Sequence, residues 1–307
     1  MTTTIDRQAR DLPLDAHMHT DMSPDSNVPI DTYAATALEH GIAEIAITDH
    51  VDFEPGAPAF AYATFADRER IVRDAAERWG PQGVAIRFGV ELTYDRSWEP
   101  DIRAHLARHA YDFTIGSVHD RVESPYSPRR VAGWIAGRSL ADIVAPSFDE
   151  VTAAARSGLF DAIGHIDGVK RYLYPHIKPA DLEAAPELYE PILQALVESG
   201  TALEVNTSGL RYSIGVTFPH AAVVARYREL GGRAVTIGSD AHRAEHANWG
   251  LDDGYAIATE AGFSELTFRR GPERGRVAVP LPVPMASGFE PHDHSNGGRS
   301  ERTMVRT

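Results

Sequence analysis

The sequence predicts an α/β protein, a single domain folded as a TIM-like (β/α) barrel of seven or eight strand–helix units. Three observations predict it. Short apolar, β-branched runs alternate with longer helical patterns along most of the 307 residues. The runs are continuously apolar, as strands covered on both faces are. Strand–helix alternation joins parallel strands by crossovers, and seven or eight such units favour a closed barrel over an open sheet.

The strand-like runs are LPLDAH (12–17), IAEIAITD (42–49), VAIRFGVE (84–91), YDFTIGSV (111–118), FDAIGHI (160–166), TALEVN (201–206) and RAVTIGSD (233–240). RVAVPLP (276–282) is a candidate eighth. Helical patterns run from Asp31 to His40, stopped by Gly41, and from Phe65 to Trp79, stopped by Gly80-Pro81. Others cover Asp101 to His109, Ser139 to Ser157, Ala180 to Ser199 and His220 to Leu230. Segments 51–63 and 121–138 are irregular, and either is placed to lie over a site. No repeat or internal boundary divides the array. The expected organisation is an extension (1–11), a barrel (12–285) and a disordered polar tail (286–307).

Composition narrows the function. The net charge of −14 argues against a nucleic-acid partner, which a basic face would serve. An acidic shell suits a small substrate that also carries a cation. There is no cysteine, so any metal rests on His, Asp, Glu or water, and the chain fits a cytoplasmic setting. The start, MTTTIDRQARDLPLD, has no signal-peptide core. No run reaches the roughly 18 apolar residues of a membrane span. Nothing fixes the oligomeric state.

The chemistry lies in where the histidines fall. His17 ends the first run and His19 follows it; His50 ends the second, His119 the fourth and His165 the fifth. Glu91 ends the third, and Asp240 ends the seventh with His242 just beyond. In a parallel barrel these ends open on one face, where active sites form. One His at a strand end is ordinarily a hydrogen-bonded polar residue; so many at once are not accidents. Imidazole and carboxylate suit Zn, Mn or Fe. One ion needs three or four protein ligands, and this set is larger, so two or three ions are implied. Neighbouring ions can clamp a phosphoryl oxygen and activate a bridging water. No G-x-S-x-G elbow or phosphate-binding glycine loop is present. Asp25, in HTDMSPDSN, is either a further ligand or a turn aspartate. His40, His105 and His109 sit on helical patterns and read as surface or packing residues. His292 and His294 form a second H-x-H in the tail, read as incidental, and His176, His220 and His246 stay unassigned.

Together DAHMHTDMSPDS, AITDHVDF, GVELTY, IGSVHD, AIGHIDGVKRY, LEVNTSGLR and IGSDAHR resemble the polymerase-and-histidinol-phosphatase (PHP) superfamily, in its motif order, over residues 12–250. The resemblance implies a distorted seven-stranded barrel with a trinuclear metal site. Its ligands, carried over by position, are His17, His19, Asp25, His50, Glu91, His119, His165, Asp240 and His242. GHIDGVKRY and EVNTSGLR are most similar to the histidinol-phosphatase branch, as is an Asp at position 25. That branch implies hydrolysis of L-histidinol phosphate by a metal-bridging hydroxide, in histidine biosynthesis. The alternatives are a PHP enzyme acting on nucleotides or other small phosphomonoesters, or a non-catalytic metal-binding regulatory domain. In the enzymatic reading Glu91 bridges two ions. Arg171 and Arg211 hold the phosphate, with Lys170 the alternative to Arg171. Asp240 or His242 handles the leaving group's proton. Absent the resemblance, each of the three cations reads equally as a solvated surface charge.

Overall fold

The computed structural model describes residues 12–119, 124–273 and 275–282. Eight strands build the central sheet: β1 (Asp15–Met18), β2 (Glu44–Ile47), β3 (His50–Val51), β4 (Ala85–Thr93), β5 (Phe113–Ser117), β6 (Ala162–Ile163), β7 (Ala202–Asn206) and β8 (Val235–Gly238). Their parallel order is β1-β2-β4-β5-β6-β7-β8, and β3 pairs with β4 beyond the end of β2. The sheet closes at its carboxyl ends. The Asp240 amide donates to the His17 carbonyl at 2.8 Å, and the His19 amide to the Ala241 carbonyl at 2.9 Å. The barrel expected from the alternation of apolar runs is therefore the fold.

Every residue of β1, β2, β5, β7 and β8 is buried, which is why these runs lack a polar period. Helices cover the outside, and their starts are written in the sequence. Thr64 accepts from the Asp67 amide to open Phe65–Trp79, whose Val72 and Ala75 are buried. Ser139 does the same through Asp142 for Leu140–Ser157, and Gly158 ends that helix at φ 63°.

Several elements depart from the sequence reading. The eighth run is no barrel strand: β10 (Arg276–Pro280) pairs antiparallel with β9 (Glu265–Arg269), a separate ribbon. It anchors to the barrel where Phe268 meets Phe113, centroids 4.5 Å apart, and Arg269 pairs with Asp161 at 2.8 Å. The helix expected from Ala180 to Ser199 is broken into Pro179–Glu183, a 3-10 turn at Pro186–Leu188 and Glu190–Ser199. Pro186 and Pro191 lack the amides a continuous helix needs. Helices Lys170–Leu173 and Leu251–Glu260 were not foreseen. Within 121–138, residues 121–123 lie outside the described ones, and Val131–Ile135 is a short helix. The extension 1–11 and the tail 286–307, with His292 and His294, also lie outside them. Among the described residues no helix is long and apolar enough to cross a membrane.

Candidate metal centre

The strand ends deliver the side chains to one point, and Glu91 is its middle. Its carboxylate, near the end of β4, is fully buried. Oε1 faces His165 Nε2 at 3.0 Å and His119 Nε2 at 3.3 Å. Oε2 faces His17 Nε2 and His19 Nε2, each at 3.4 Å, and His50 Nδ1 at 2.9 Å. Although His50 is so close, no hydrogen bond satisfies Oε2. Asp240 Oδ1 lies 3.5 Å from His19 Nε2 and 3.3 Å from His242 Nδ1. Asp25, half exposed at the rim, places Oδ2 3.4 Å from His50 Nε2 and 3.3 Å from His242 Nε2.

The hydrogen bonds behind the rings fix which nitrogen faces inward. His17 Nδ1 donates to Glu204 Oε1 at 2.6 Å. His19 Nδ1 faces Ser23 Oγ at 3.4 Å, whose own proton goes to Asp49. His119 Nδ1 meets Thr93 Oγ1 at 2.9 Å, whose proton goes to Asp52. His242 Nδ1 reaches the Asp240 carbonyl at 3.1 Å. With each Nδ1 holding the proton, each Nε2 carries a lone pair into the cluster. Two such atoms, of His17 and His19, stand only 3.0 Å apart; His50 instead turns its Nδ1 toward Glu91, which leaves its Nε2 3.4 Å from that of His242. Lone pairs facing one another and buried carboxylates demand positive charge between them.

The acid–base balance reports the same demand. Burial alone would raise the Glu91 carboxyl, but the histidines led by His17, His119 and His50 hold it well below its ordinary value. Asp240 is likewise held low against its burial, chiefly by His17. Burial opposes a charged His50, yet Glu91 and Asp25 lift its ring to about 10. His19, buried beside His242 and His50, is pushed well down. Among the described residues, three groups have ligand atoms close enough to share an ion: His17, His19 and Asp240; His19, His50 and His242; and His50, Glu91 and His119. The donor set thus fits divalent cations bound by nitrogen and oxygen.

The backbone bends to reach this geometry. His165 and Asp240 adopt positive φ, 22° and 52°, although neither is glycine. Gly238 admits the first strand: a Cβ there would lie 2.3 Å from that of His17. All nine carried-over residues are brought together. The three cations are not. Lys170 is a correction: its ammonium is buried, 2.8 Å from Asp167 and donating to the Thr217 carbonyl. A cation already paired in the interior does not face a substrate. Arg211 has another task in this structure. Its two terminal nitrogens donate to the carbonyls of Ser239 at 2.7 Å and Asp240 at 2.9 Å, so it holds the turn after β8. Arg171 alone remains at the rim, its guanidinium between the rings of Tyr172 and Tyr212, 4.6 and 5.6 Å away.

Sequence reading missed the residues that orient the histidines. Glu204, fully buried in β7, binds His17, the His165 amide at 2.8 Å and Asn206 at 3.0 Å. A carboxylate inside the apolar run TALEVN was the available signal, because a strand covered on both faces leaves a charge no water. Thr93, Ser23 and Asp49 carried no such signal.

Known proteins share this fold. The PHP domain family matches residues 15–208, well over half of the chain. A relative named probable histidinol-phosphatase from Deinococcus radiodurans is 28% identical, covering 83% of this chain and 96% of its own. The histidinol-phosphatase of Lactococcus lactis is 26% identical, over 82% and 93%. Its crystal structure with zinc, L-histidinol and phosphate superposes at a TM-score of 0.73, 23% identical, covering 84% of this chain and 97% of that one. A putative histidinol phosphatase structure from Listeria monocytogenes gives 0.66 at 18% identity, over 78% and 99%. With its motifs converging on one buried carboxylate at the mouth of the barrel, the chain belongs to the PHP domain family.

Proposed function

We propose that this chain is a metal-dependent phosphomonoesterase that hydrolyses L-histidinol phosphate to L-histidinol and phosphate. The observation that carries the chemistry is the ring of inward-facing imidazole Nε2 atoms around the Glu91 carboxylate. The names of the relatives support the substrate.

In this reading His17, His19, Asp25, His50, Glu91, His119, His165, Asp240 and His242 hold two or three divalent ions, with Zn, Mn and Fe as the fitting classes. Bound there, the ions supply charge neutralisation for phosphate oxygens and activation of the attacking water. The chain's residues supply the rest. Glu91 offers one oxygen to each side of the centre. Glu204 and Thr93 fix the rings of His17 and His119. Arg171, steadied by Tyr172 and Tyr212, offers a planar guanidinium to the phosphate. Asp240 or His242 would serve the leaving oxygen as its acid–base group.

The test is the rate with L-histidinol phosphate beside a set of nucleoside monophosphates. We expect kcat/KM to favour L-histidinol phosphate by at least about tenfold, the scale of one recognised group. Equal efficiency with a nucleotide overturns the substrate and leaves the metallophosphoesterase.

A further inference from the structure

Beside the metal centre lies a cavity of about 370 Å³. His119 is part of its wall, so the cavity adjoins the centre. Tyr172, whose hydroxyl accepts from Arg171, forms another part. A phosphomonoester held between the ions and Arg171 therefore has this cavity within reach of its alcohol portion.

The walls state what that portion is. Tyr94, Tyr126 and Tyr172 all line the cavity. The first two hydroxyls are bound outside it: Tyr94 donates to Glu99 and Tyr126 to the Ile143 carbonyl, both at 2.8 Å. What these residues offer is ring surface, with Val169 and Pro146 adding apolar area. Among the described residues, Asp95 and Glu150 are the carboxylates of the wall, and Glu150 is tied to Arg96 at 2.9 Å. Flat aromatic walls favour a planar ring at stacking or edge contact. Carboxylates favour a neutral or cationic group and oppose a second anion.

We propose that this cavity is the leaving-group pocket and that it selects phosphomonoesters of ring-bearing alcohols without a second negative charge. The proposal rests on the phosphomonoesterase reading and deepens it. Tyr94, Tyr126 and Tyr172 are its specificity-determining residues, and Tyr126 comes from the stretch 121–138 that the sequence left irregular.

Ser147 gives the test, because it lines the cavity from the helix Leu140–Ser157 and touches none of the metal-centre residues by hydrogen bond. Ser147→Phe places a ring where the substrate's ring belongs, and Ser147→Leu is a smaller plug for use if the larger one unfolds. The metal-loaded protein is assayed with L-histidinol phosphate, 2-phenylethyl phosphate, ethyl phosphate and O-phosphoserine. Wild type should prefer both ring-bearing esters to O-phosphoserine. Plugging should cost the ring-bearing esters about tenfold or more in kcat/KM, mainly through KM, and leave ethyl phosphate within about twofold. Metal content should not change. Equal losses on ethyl phosphate, or none on the ring-bearing esters, overturn the pocket. If wild type treats 2-phenylethyl phosphate as well as L-histidinol phosphate, the specific substrate fails while the pocket stands.

Discussion

Arg211 offers the sharpest test of how the centre is held together. The guanidinium bonds two successive carbonyls, those of Ser239 at 2.7 Å and Asp240 at 2.9 Å. The Asp240 carbonyl also receives His242 Nδ1. One arginine thus steadies a carboxylate held at φ 52° and the tautomer of the histidine beyond it. A charged hydrogen bond contributes roughly 1.5–3 kcal/mol, and the partly exposed guanidinium belongs at the low end, so two bonds give about 3 kcal/mol. Arg211→Ala should therefore lower the thermal midpoint by about 6 °C, at about 2 °C per kcal/mol for a domain this large. Arg211→Lys, with a point charge for a fork, should lose about half as much. Both are read by thermal unfolding of metal-free protein and by zinc titration, where affinity should fall by about tenfold or more in the alanine variant. An unchanged midpoint and zinc affinity, with a raised KM for the phosphoester, would refute this and return Arg211 to the substrate.

Other perturbations separate the parts of the site. Chelation should abolish turnover, and elemental analysis of the purified protein should find more than one transition-metal equivalent; full turnover without metal refutes the centre. Glu91→Gln keeps the shape but removes the shared charge, and should cost at least about a hundredfold in kcat with fewer bound ions. Glu204→Gln should weaken zinc binding by roughly 10–100-fold through His17, measured by competition with a chelator. Burial, with His109 and Arg108 nearby, holds the His105 ring at about 4, below its unfolded value. The unfolded chain then binds the extra proton first, so this stability is present above about pH 6.5 and is lost as pH falls through 4. His105→Gln should show a smaller fall in midpoint between pH 7 and pH 4.5 than wild type; an equal fall sinks the assignment.

The sequence carried the barrel because burial on both faces writes itself as unbroken apolar runs, and TALEVN, YDFTIGSV and RAVTIGSD all became strands. It carried the meeting point of the candidate ligands because a strand end is a fixed address on the barrel mouth. It did not carry the partners. His17 and Glu204 are 187 residues apart, and no local pattern links them. RVAVPLP misled because a ribbon on the barrel's outside can be as apolar as a barrel strand. Lys170 and Arg211 sit in motifs beside the site, and proximity in sequence to a ligand says nothing of which way a long side chain turns.

The left-handed backbone at Asp240 has a consequence for how this protein can change. Glycine adopts φ 52° without a steric cost, whereas aspartate carries about 1 kcal/mol of strain there. Asp240→Gly would relax the turn and at the same time delete a carboxylate from a crowd of histidines. Selection for thermal robustness alone would drift toward the glycine, and selection for turnover would drive it back. That one position would sort the lineage into working enzymes and sturdier, silent copies, and the silent copy would be a natural starting point for a variant that binds phosphoester without cleaving it.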